Sequence, residues 1–238
     1  MAKSAGVWKV LEHGPIQKLN ERLWRVEGEV PGMSLRRVMT VAKRSDDKLV
    51  IHSAIALNDD EMKELEAFGE PAFLVVPNSY HRLDAPRYKH RYPGVRVFTP
   101  SAMRTKVEER VAVDGSYEDY PSDSAVALSL LPGTAKREGM MLVTASDGVS
   151  VVLNDVVMNM DKRPDVLGYL FTTVLGSAPG PRVSRLARFG LVKDKVVLRS
   201  ELERLAGLPN LAHLIVSHDK VSSGAQAAAD LRQAATYL

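Results

Sequence analysis

The 238-residue chain is long enough to bury roughly 70% of its unfolded surface, and its 45% apolar and 26% charged content excludes disordered and fibrous classes. A formal net charge of +3, from 32 basic and 29 acidic residues, gives no general attraction to nucleic acid, so we expect no nucleic-acid partner. Cysteine is absent, which excludes disulfides and thiolate ligands and leaves histidine, aspartate, glutamate and asparagine for any metal site.

No signal for export or membrane insertion is present in the sequence. No apolar run approaches the roughly 18 residues that a membrane-spanning helix needs. The opening MAKSAGVWKVLEHGP lacks the apolar segment of a secretory signal. We therefore expect a cytoplasmic protein without a membrane partner.

The first third of the chain predicts a β-meander followed by a helix. Residues 23–57 hold three segments rich in valine and isoleucine, separated by turn residues: LWRVEGEV, MSLRRVMTVAKR and LVIHSAIAL. Asn58 and Glu61 resemble a capping box, and Gly69 stands where a helix would end. A helix is therefore predicted over residues 59–68.

The remaining pattern alternates between strands and helices. AFLVVPN and GVRVFTP are typical of buried strands, with a short helix between them that has Pro86 in its first turn. A helix at 101–110 precedes a second strand-rich region, VALSLLPG, MMLVTAS and VSVVLNDVVMNM, in which SDG predicts a hairpin turn. The last third predicts helices in PDVLGYLFTTVLG, LRSELERLAGL and SGAQAAADLRQAATYL, and a strand in LAHLIVSH. We expect one domain over residues 1–238, with two packed β-sheets and helices outside.

This order of elements resembles the metallo-β-lactamase fold, a four-layer αββα sandwich of the α/β class, over about residues 20–236. The resemblance rests on the meander and on three strands that end in polar residues: PNSYHRLD at 77–84, LND at 153–155 and SH at 217–218. The segments VIHS, VVPNSYH and YPGVRVF are most similar to a motif-poor branch of the superfamily that consists of domains of unknown function. The resemblance implies a hydrolase-like protein with a metal site at the strand ends.

The family's usual first motif, H-x-H-x-D-H, is eroded in this chain. Other residues stand at its four ligand positions in the direct alignment: Asn78, Tyr80, Arg82 and Leu83. A shift in register would instead offer His81 and Asp84 as ligands. The site is therefore predicted to be an altered one.

Two later positions match the family better. Asp155 resembles the family's metal-bridging aspartate, and His218 resembles its closing histidine. Together with His81 they would supply three ligands, the usual minimum for a catalytic zinc. The resemblance implies at most one ion, zinc or iron, or none if the site is fully degenerate. Three further residues are candidates for the pocket or for orienting a ligand: His52, Asn78 and Asp84.

Each of these residues also has an ordinary structural interpretation. Asp155 and His218 could cap loops at strand ends, and Asn78 could hydrogen-bond a turn backbone. Two functions are therefore compatible with the sequence. The first is a hydrolase-like metalloprotein that acts on an unidentified small molecule. The second is a non-catalytic ligand-binding or interaction scaffold on the same fold.

Three other segments have weaker functional interpretations. RYKHRYPGVR, residues 87–96, mixes basic residues with tyrosines, but the near-neutral charge balance favours a solvated helix face over a nucleic-acid surface. Residues 177–195 are predicted to form a loop near the metal site. Its arginines are candidates for an anion site: Arg182, Arg185 and Arg188. Met158 and Met160 are predicted to lie in the core or in a pocket wall.

Overall fold

The structure is a computed structural model that describes residues 6–238. Within this range the first of two β-sheets has seven strands, which neighbour one another in chain order: β1 (Gln17–Lys18), β2 (Leu23–Val30), β3 (Met33–Lys43), β4 (Lys48–His52), β5 (Glu70–Val75), β6 (Arg96–Thr99) and β7 (Gly115–Ser116). β1 to β4 pair antiparallel and β4 to β7 pair parallel. The parallel half needs crossover connections, and each contains a helix: α1 (Asp59–Phe68), α2 (Ala85–Arg91) and α3 (Arg104–Glu108), which follows a 3-10 turn at Ser101–Met103.

The second sheet of residues 6–238 has five strands in the spatial order β12-β11-β10-β9-β8: β8 (Val126–Leu130), β9 (Gly139–Ala145), β10 (Gly148–Val152), β11 (Leu211–Ile215) and β12 (Val221–Ser223). Only β10 and β11 pair parallel among the adjacent strands of this sheet. Three helices lie in the connection between them: α4 (Val166–Tyr169), which continues as a π-helical turn at Leu170–Val174, α5 (Arg185–Gly190) and α6 (Lys195–Ala206). α7 (Ala225–Ala235) follows β12.

Apolar side chains alternate between separate cores along the central strands. In β4, Val50 packs between the two sheets, whereas Leu49 and Ile51 pack in the core beneath α1 and α2. In β10, Val152 packs between the sheets, whereas Val151 packs beneath α6 and α7. Successive residues of a strand point to opposite faces, so both faces of each sheet are buried. The molecule is a four-layer αββα sandwich of the α/β class, which confirms the predicted fold class.

The helix α1 has the predicted bounds but not the predicted cap. The Asn58 side chain donates to the Glu61 carboxylate at 3.0 Å and makes no hydrogen bond to the helix backbone. After the helix, the backbone at Gly69 passes so close to its neighbours that a Cβ would lie 2.4 Å from the Asp47 carbonyl oxygen. This close approach explains the glycine at that position.

Two predicted strands end earlier than the sequence pattern indicates. β4 stops at His52 because Ser53 has a φ of 57°, outside the strand region. The buried segment that follows makes irregular contacts, such as the amide of Ala56 donating to Asp84 at 3.2 Å. Likewise, β10 ends at Val152 and the rest of VSVVLNDVVMNM is not a strand. The apolar residues after His52 and Val152 are buried in loops. The length of an apolar run therefore does not show where a strand ends and a buried loop begins.

The prediction of a loop over residues 177–195 is wrong in part, since α5 occupies its centre. The Ser184 side chain caps this helix by accepting a hydrogen bond from the amide of Ala187 at 3.0 Å. Ala187 is buried in the core beneath the second sheet. Two of the arginines, Arg185 and Arg188, therefore lie on a helix that has one buried face.

The interpretation of residues 87–96 as a solvated face also needs a correction at Tyr88. This side chain is fully buried, and its hydroxyl donates to the carbonyl of Ile55 at 2.9 Å. Two basic residues of the segment are held in ion pairs: Arg87 with Asp84, and Arg91 with Glu66. α2 therefore presents one face to the core and one to solvent.

Candidate metal site

Three of the predicted ligands meet at one edge of the sandwich. His81 lies in the loop after β5, Asp155 in the loop after β10, and His218 in the loop after β11. One ligand atom from each lies within 4.8 Å of the other two. Because β10 and β11 are parallel, their carboxyl ends lie at the same edge, which brings Asp155 and His218 together. These residues form a group that can hold one metal ion.

The spacing of the three ligand atoms suits a small ion. Asp155 Oδ1 lies 3.0 Å from His81 Nε2 and 3.6 Å from His218 Nε2. Ligands bound at about 2.0–2.2 Å around a tetrahedral ion lie roughly 3.3–3.6 Å apart. The two separations from Asp155 lie close to that range, and all three ligand atoms lie within 4.8 Å of one another.

The opposite nitrogen of each histidine ring is already engaged by the protein. His218 Nδ1 lies 2.7 Å from the carbonyl oxygen of Arg36, which can only accept, so Nδ1 is the donor. His81 Nδ1 lies 2.8 Å from Ser53 Oγ. Such contacts fix the orientation of a metal-bound imidazole. In this arrangement both Nε2 atoms are directed towards Asp155, and the residues present fit a nitrogen and oxygen metal site.

Asn78 holds the loop of His81 against Asp155. Its Nδ2 donates to Asp155 Oδ2 at 2.6 Å, and its Oδ1 accepts hydrogen bonds from the amides of Tyr80 and His81 at 2.8 and 3.3 Å. The second pair of bonds forms the local turn that asparagine favours. Asn78 therefore orients the side chain of Asp155 and the backbone of His81.

Opposite charges shift the pKa values of Asp155 and His218 in opposite directions. Burial alone would raise the pKa of Asp155, but the neighbouring His81 and His218 outweigh it and hold that pKa well below the usual range. Burial would lower the pKa of His218, but the hydrogen bond and charge of Asp155 raise it. The Asp155 carboxylate therefore stays ionised, while an incoming metal ion would have to displace a proton from His218.

His52 lies behind the site and does not join the three converging ligands. Its side chain is buried, and burial together with repulsion from His81 lowers its pKa to about 3, with Asp155 opposing the shift. The ring is therefore neutral at physiological pH.

Asp84 is also kept apart from the converging ligands. Its Oδ2 accepts from Arg37 Nη2 at 2.6 Å and from the amide of Ala56 at 3.2 Å, while Oδ1 pairs with Arg87. The residue is almost fully buried. Its charge is thus neutralised by two arginines, and it fixes the start of α2 beside the site.

The other substituted motif positions, Tyr80, Arg82 and Leu83, do not belong to the group of three ligands. Tyr80 is 82% exposed, and Arg82 pairs with Glu109 at 2.9 Å. His81, which lies between Tyr80 and Arg82, contacts Asp155, whereas Asp84, the other residue that a shifted register would offer, does not join the group.

Glu138 lies buried beside the loop of Asp155, and sequence reasoning missed it. Its Oε1 accepts from the amide of Val156 at 3.2 Å. Burial, with repulsion from Asp155, raises the pKa of Glu138 well above its usual range. A protonated Glu138 supports the loop without adding a second negative charge. A lone glutamate before a strand gave no signal of this contact.

Ser53 was also missed, although its position directly after His52 was a usable signal. The end of β4 lies at the same edge as the end of β5, with which it pairs in parallel. The left-handed backbone at Ser53 places its hydroxyl against His81. Sequence alone could not show the turn that makes this contact.

The three ligands line a cavity of about 760 Å³. Its walls are mainly apolar and come from the β2–β3 hairpin, the loop before α3, the π-helical turn and α5: Val30, Met33, Leu35, Met103, Phe171 and Leu186. Met158 belongs to the same wall, while Met160 is buried in the adjoining core. A volume of this size is typical of small-molecule sites.

The arginines proposed for an anion site do not line this cavity. Arg182 donates to the carbonyl of Ala178 and lies over the ring of Tyr237, and Arg185 donates to the carbonyl of Val174. Arg188 is partly buried on α5. The structure does not bring the three guanidinium groups to the metal ligands.

Comparison with known proteins supports the fold through structure alone. No protein-family model matches the sequence, and no curated protein matches it. The DIM-1 metallo-β-lactamase, in a crystal exposed to ceftazidime, is similar with a TM-score of 0.64 and 12% identity, over 96% of this chain and 98% of that chain. TMB-1 is similar with a TM-score of 0.63 and 11% identity, over 96% of this chain and 98% of that chain. A metallo-β-lactamase from Pontibacter korlensis is similar with a TM-score of 0.60 and 9% identity, over 95% of this chain and 100% of that chain. The chain therefore has the metallo-β-lactamase fold, as the sequence predicted.

Proposed function

We propose that this chain is a hydrolase-like protein that holds one zinc ion through His81, Asp155 and His218. The observation that carries the proposal is the convergence of three ligand atoms within 4.8 Å in the lining of one cavity. Two histidines and one carboxylate form a ligand set used by catalytic zinc, with a coordination position left for water or substrate. The same set also suits iron(II), and elemental analysis distinguishes the two.

A bound zinc ion would supply Lewis-acid polarisation and lower the pKa of its water to roughly 7. The residues of this chain hold and orient the ligands. Ser53 and the Arg36 carbonyl fix the two imidazole rings, and Asn78 holds Asp155. The apolar walls of the cavity limit access of bulk water, which strengthens the electrostatic interactions inside it. The small-molecule substrate would enter along these walls.

A metal-free scaffold is the second candidate function. The observation in its favour is that Asp155 already has hydrogen-bond partners in His81 and Asn78. A buried polar network that satisfies itself can be purely structural. Such a protein would use the cavity to bind a ligand without catalysis.

Metal content tests the proposal directly. The protein is purified without chelator, reconstituted separately with zinc and iron(II), dialysed and measured by elemental mass spectrometry. We expect about one zinc ion per chain in the wild type and a loss of at least about tenfold in affinity for Asp155→Ala and His218→Ala, since each leaves only two ligands.

His213→Ala is the matched control. His213 lies on β11, five residues before His218, and pairs with Asp147 outside the site. This variant should bind zinc as the wild type does. No bound zinc in the wild type would reject the metal site and favour the scaffold, and equal loss in His213→Ala would show that the effect is general destabilisation. Preferential retention of iron would reject zinc as the ion.

A further inference from the structure

We infer that the site takes an uncharged carboxylic ester with an aliphatic acyl chain, with the ester group at the metal ligands and the chain along the apolar walls. The hydrolysis of the ester rests on the proposed function, whereas the preference for an aliphatic chain rests on the cavity wall. Polar metal ligands and a mainly apolar wall line the same cavity. A substrate that matches both must be amphiphilic.

The apolar walls come from elements that are distant in sequence. Met33 and Leu35 project from the β2–β3 hairpin, Met103 precedes α3, and Leu186 projects from α5. Met158 closes the wall near the ligands and is buried. Methionine side chains adapt to ligands of different shape. A flexible hydrocarbon chain fits such a wall better than a rigid polar ring system does.

The apolar surface continues to the mouth of the cavity. Three large side chains of the lining are exposed: Tyr80 at 82%, Leu83 at 41% and Leu186 at 45%. Exposed apolar side chains that line a cavity are typical of a ligand-binding groove. A chain longer than the cavity could therefore extend along this mouth.

The three basic residues of the lining already have partners within the protein. Arg37 is paired with Asp84, Arg137 donates to the carbonyl of Gly190 at 2.6 Å, and Lys106 pairs with Glu109 at 3.1 Å. A polar group buried against these walls would lose its water without gaining a comparable partner. The buried part of the lining, where Arg37 is paired with Asp84, therefore disfavours polar groups along the chain.

The reaction that fits this arrangement is hydrolysis. Water adds to the acyl carbon, the bond from that carbon to the alcohol oxygen breaks, and the alcohol oxygen takes the proton that water loses. The products are a carboxylic acid and an alcohol. No oxidant or reductant is needed.

Chain-length dependence of binding tests the inference without relying on activity. 1-Alkanols from six to ten carbons are titrated into the full-length, zinc-free protein and followed by calorimetry. Each added methylene should tighten binding by about fourfold, which corresponds to about 0.8 kcal/mol of apolar burial. 1,8-Octanediol should bind more weakly than 1-octanol, because its second hydroxyl would lie against the apolar wall.

Leu186→Gln and Val197→Gln form a matched pair of variants. Leu186 lines the cavity at 45% exposure, whereas Val197 on α6 is 43% exposed and outside the lining. We expect Leu186→Gln to weaken 1-octanol binding by roughly threefold or more, and Val197→Gln to leave it unchanged. Affinity that does not depend on chain length, or equal effects of the two variants, would overturn the inference.

Activity of the zinc-loaded protein gives a second readout. kcat/KM for p-nitrophenyl esters should rise from acetate through hexanoate to decanoate. Zinc binding without any chain-length dependence would reject the aliphatic substrate and leave the metal site standing. Chain-length-dependent binding by a protein that holds no zinc would reject the hydrolase and support an apolar ligand for the scaffold.

Discussion

Asp155 is the residue on which the candidate site depends, because it contacts each of the other members. It accepts from His81 and Asn78, and it lies 3.6 Å from His218. A buried carboxylate is stable only when it is paired or hydrogen-bonded. These partners keep it ionised and therefore available to a cation.

Glu138 provides a prediction at the residue scale. Glu138→Ala should lower the free energy of unfolding by about 2–4 kcal/mol, because it removes the acceptor for the Val156 amide and leaves a buried cavity. Glu138→Gln keeps a carbonyl acceptor and carries no charge, so it should cost less than about 1 kcal/mol. Urea unfolding at neutral pH measures both.

Glu203→Ala, on the exposed face of α6, is the control and should change stability by less than about 0.5 kcal/mol. If Glu138→Gln destabilises as much as Glu138→Ala, then Glu138 is not the neutral hydrogen-bonded acid that its raised pKa indicates.

At the scale of elements, short polar contacts tie the two sheets together at their ends. The amide of Val38 in β3 donates to the carbonyl of Ser217, in the loop after β11, at 2.9 Å. At the start of β8, Asp123 accepts from the amides of Ala125 and Val126 at 2.9 and 2.8 Å, and from Ser45 in the β3–β4 turn. Such contacts set how the strand ends of one sheet face those of the other.

Asp123→Asn tests one of these ties through its pH dependence. Burial alone would raise the pKa of Asp123, but hydrogen bonds from Ser45, Val126 and Ala125 outweigh it and lower that pKa. A lowered folded-state pKa stabilises the protein above the unfolded pKa of about 4, and this stability is lost as the pH falls through the folded pKa. The variant should therefore be less stable than the wild type by about 1–2 kcal/mol at pH 7.

The stability difference between Asp123→Asn and the wild type should begin to shrink as the pH falls below the unfolded pKa of about 4, and it should be lost once the pH passes below the folded-state pKa, where the carboxyl is protonated in both states. Thermal unfolding between pH 3 and pH 7 measures it, with Asp161→Asn, an exposed surface residue, as the control. A difference that stays constant across this range would show that the charge of Asp123 is not what stabilises the contact.

For the whole molecule, the site draws on both sheets. β5 belongs to the first sheet and β10 and β11 to the second, and apolar side chains of both sheets share the central core. A ligand that joins loops from both sheets stabilises only the assembled state. Metal binding should therefore be linked to global stability. That the chain is a single domain over residues 1–238 stays a prediction.

Zinc should raise the melting temperature of the wild type. A free zinc concentration of about 100 times Kd stabilises the folded state by roughly 2.7 kcal/mol, which corresponds to about 5–10 °C for a chain of this size. Differential scanning fluorimetry with and without chelator measures the shift. His213→Ala should show the same rise, whereas a rise of equal size in Asp155→Ala would place the zinc elsewhere.

Location and nucleic-acid binding are still known only as expectations from the sequence. Among residues 6–238, no helix is long and apolar enough to cross a membrane. A cytoplasmic location and the absence of a nucleic-acid partner stay predictions.

The sequence by itself determined the layers and their order. Apolar runs and alternating apolar residues predicted the strands, and helical spacing predicted α1. The resemblance to the metallo-β-lactamase fold added the strand ends where His81, Asp155 and His218 lie.

Only the tertiary structure decided which polar residues belong together. Asp84 and His81 are three residues apart, yet one is paired with arginines and the other with Asp155, because side-chain direction depends on the loop backbone. Ser53 reaches the site because its backbone is left-handed. Glu138 reaches it by accepting a hydrogen bond from the amide of Val156, which is 18 residues away in sequence. The cavity joins hairpin, loop and helix side chains that no local pattern relates. Such contacts depend on the packing of residues that are distant in sequence, so local periodicity does not predict them.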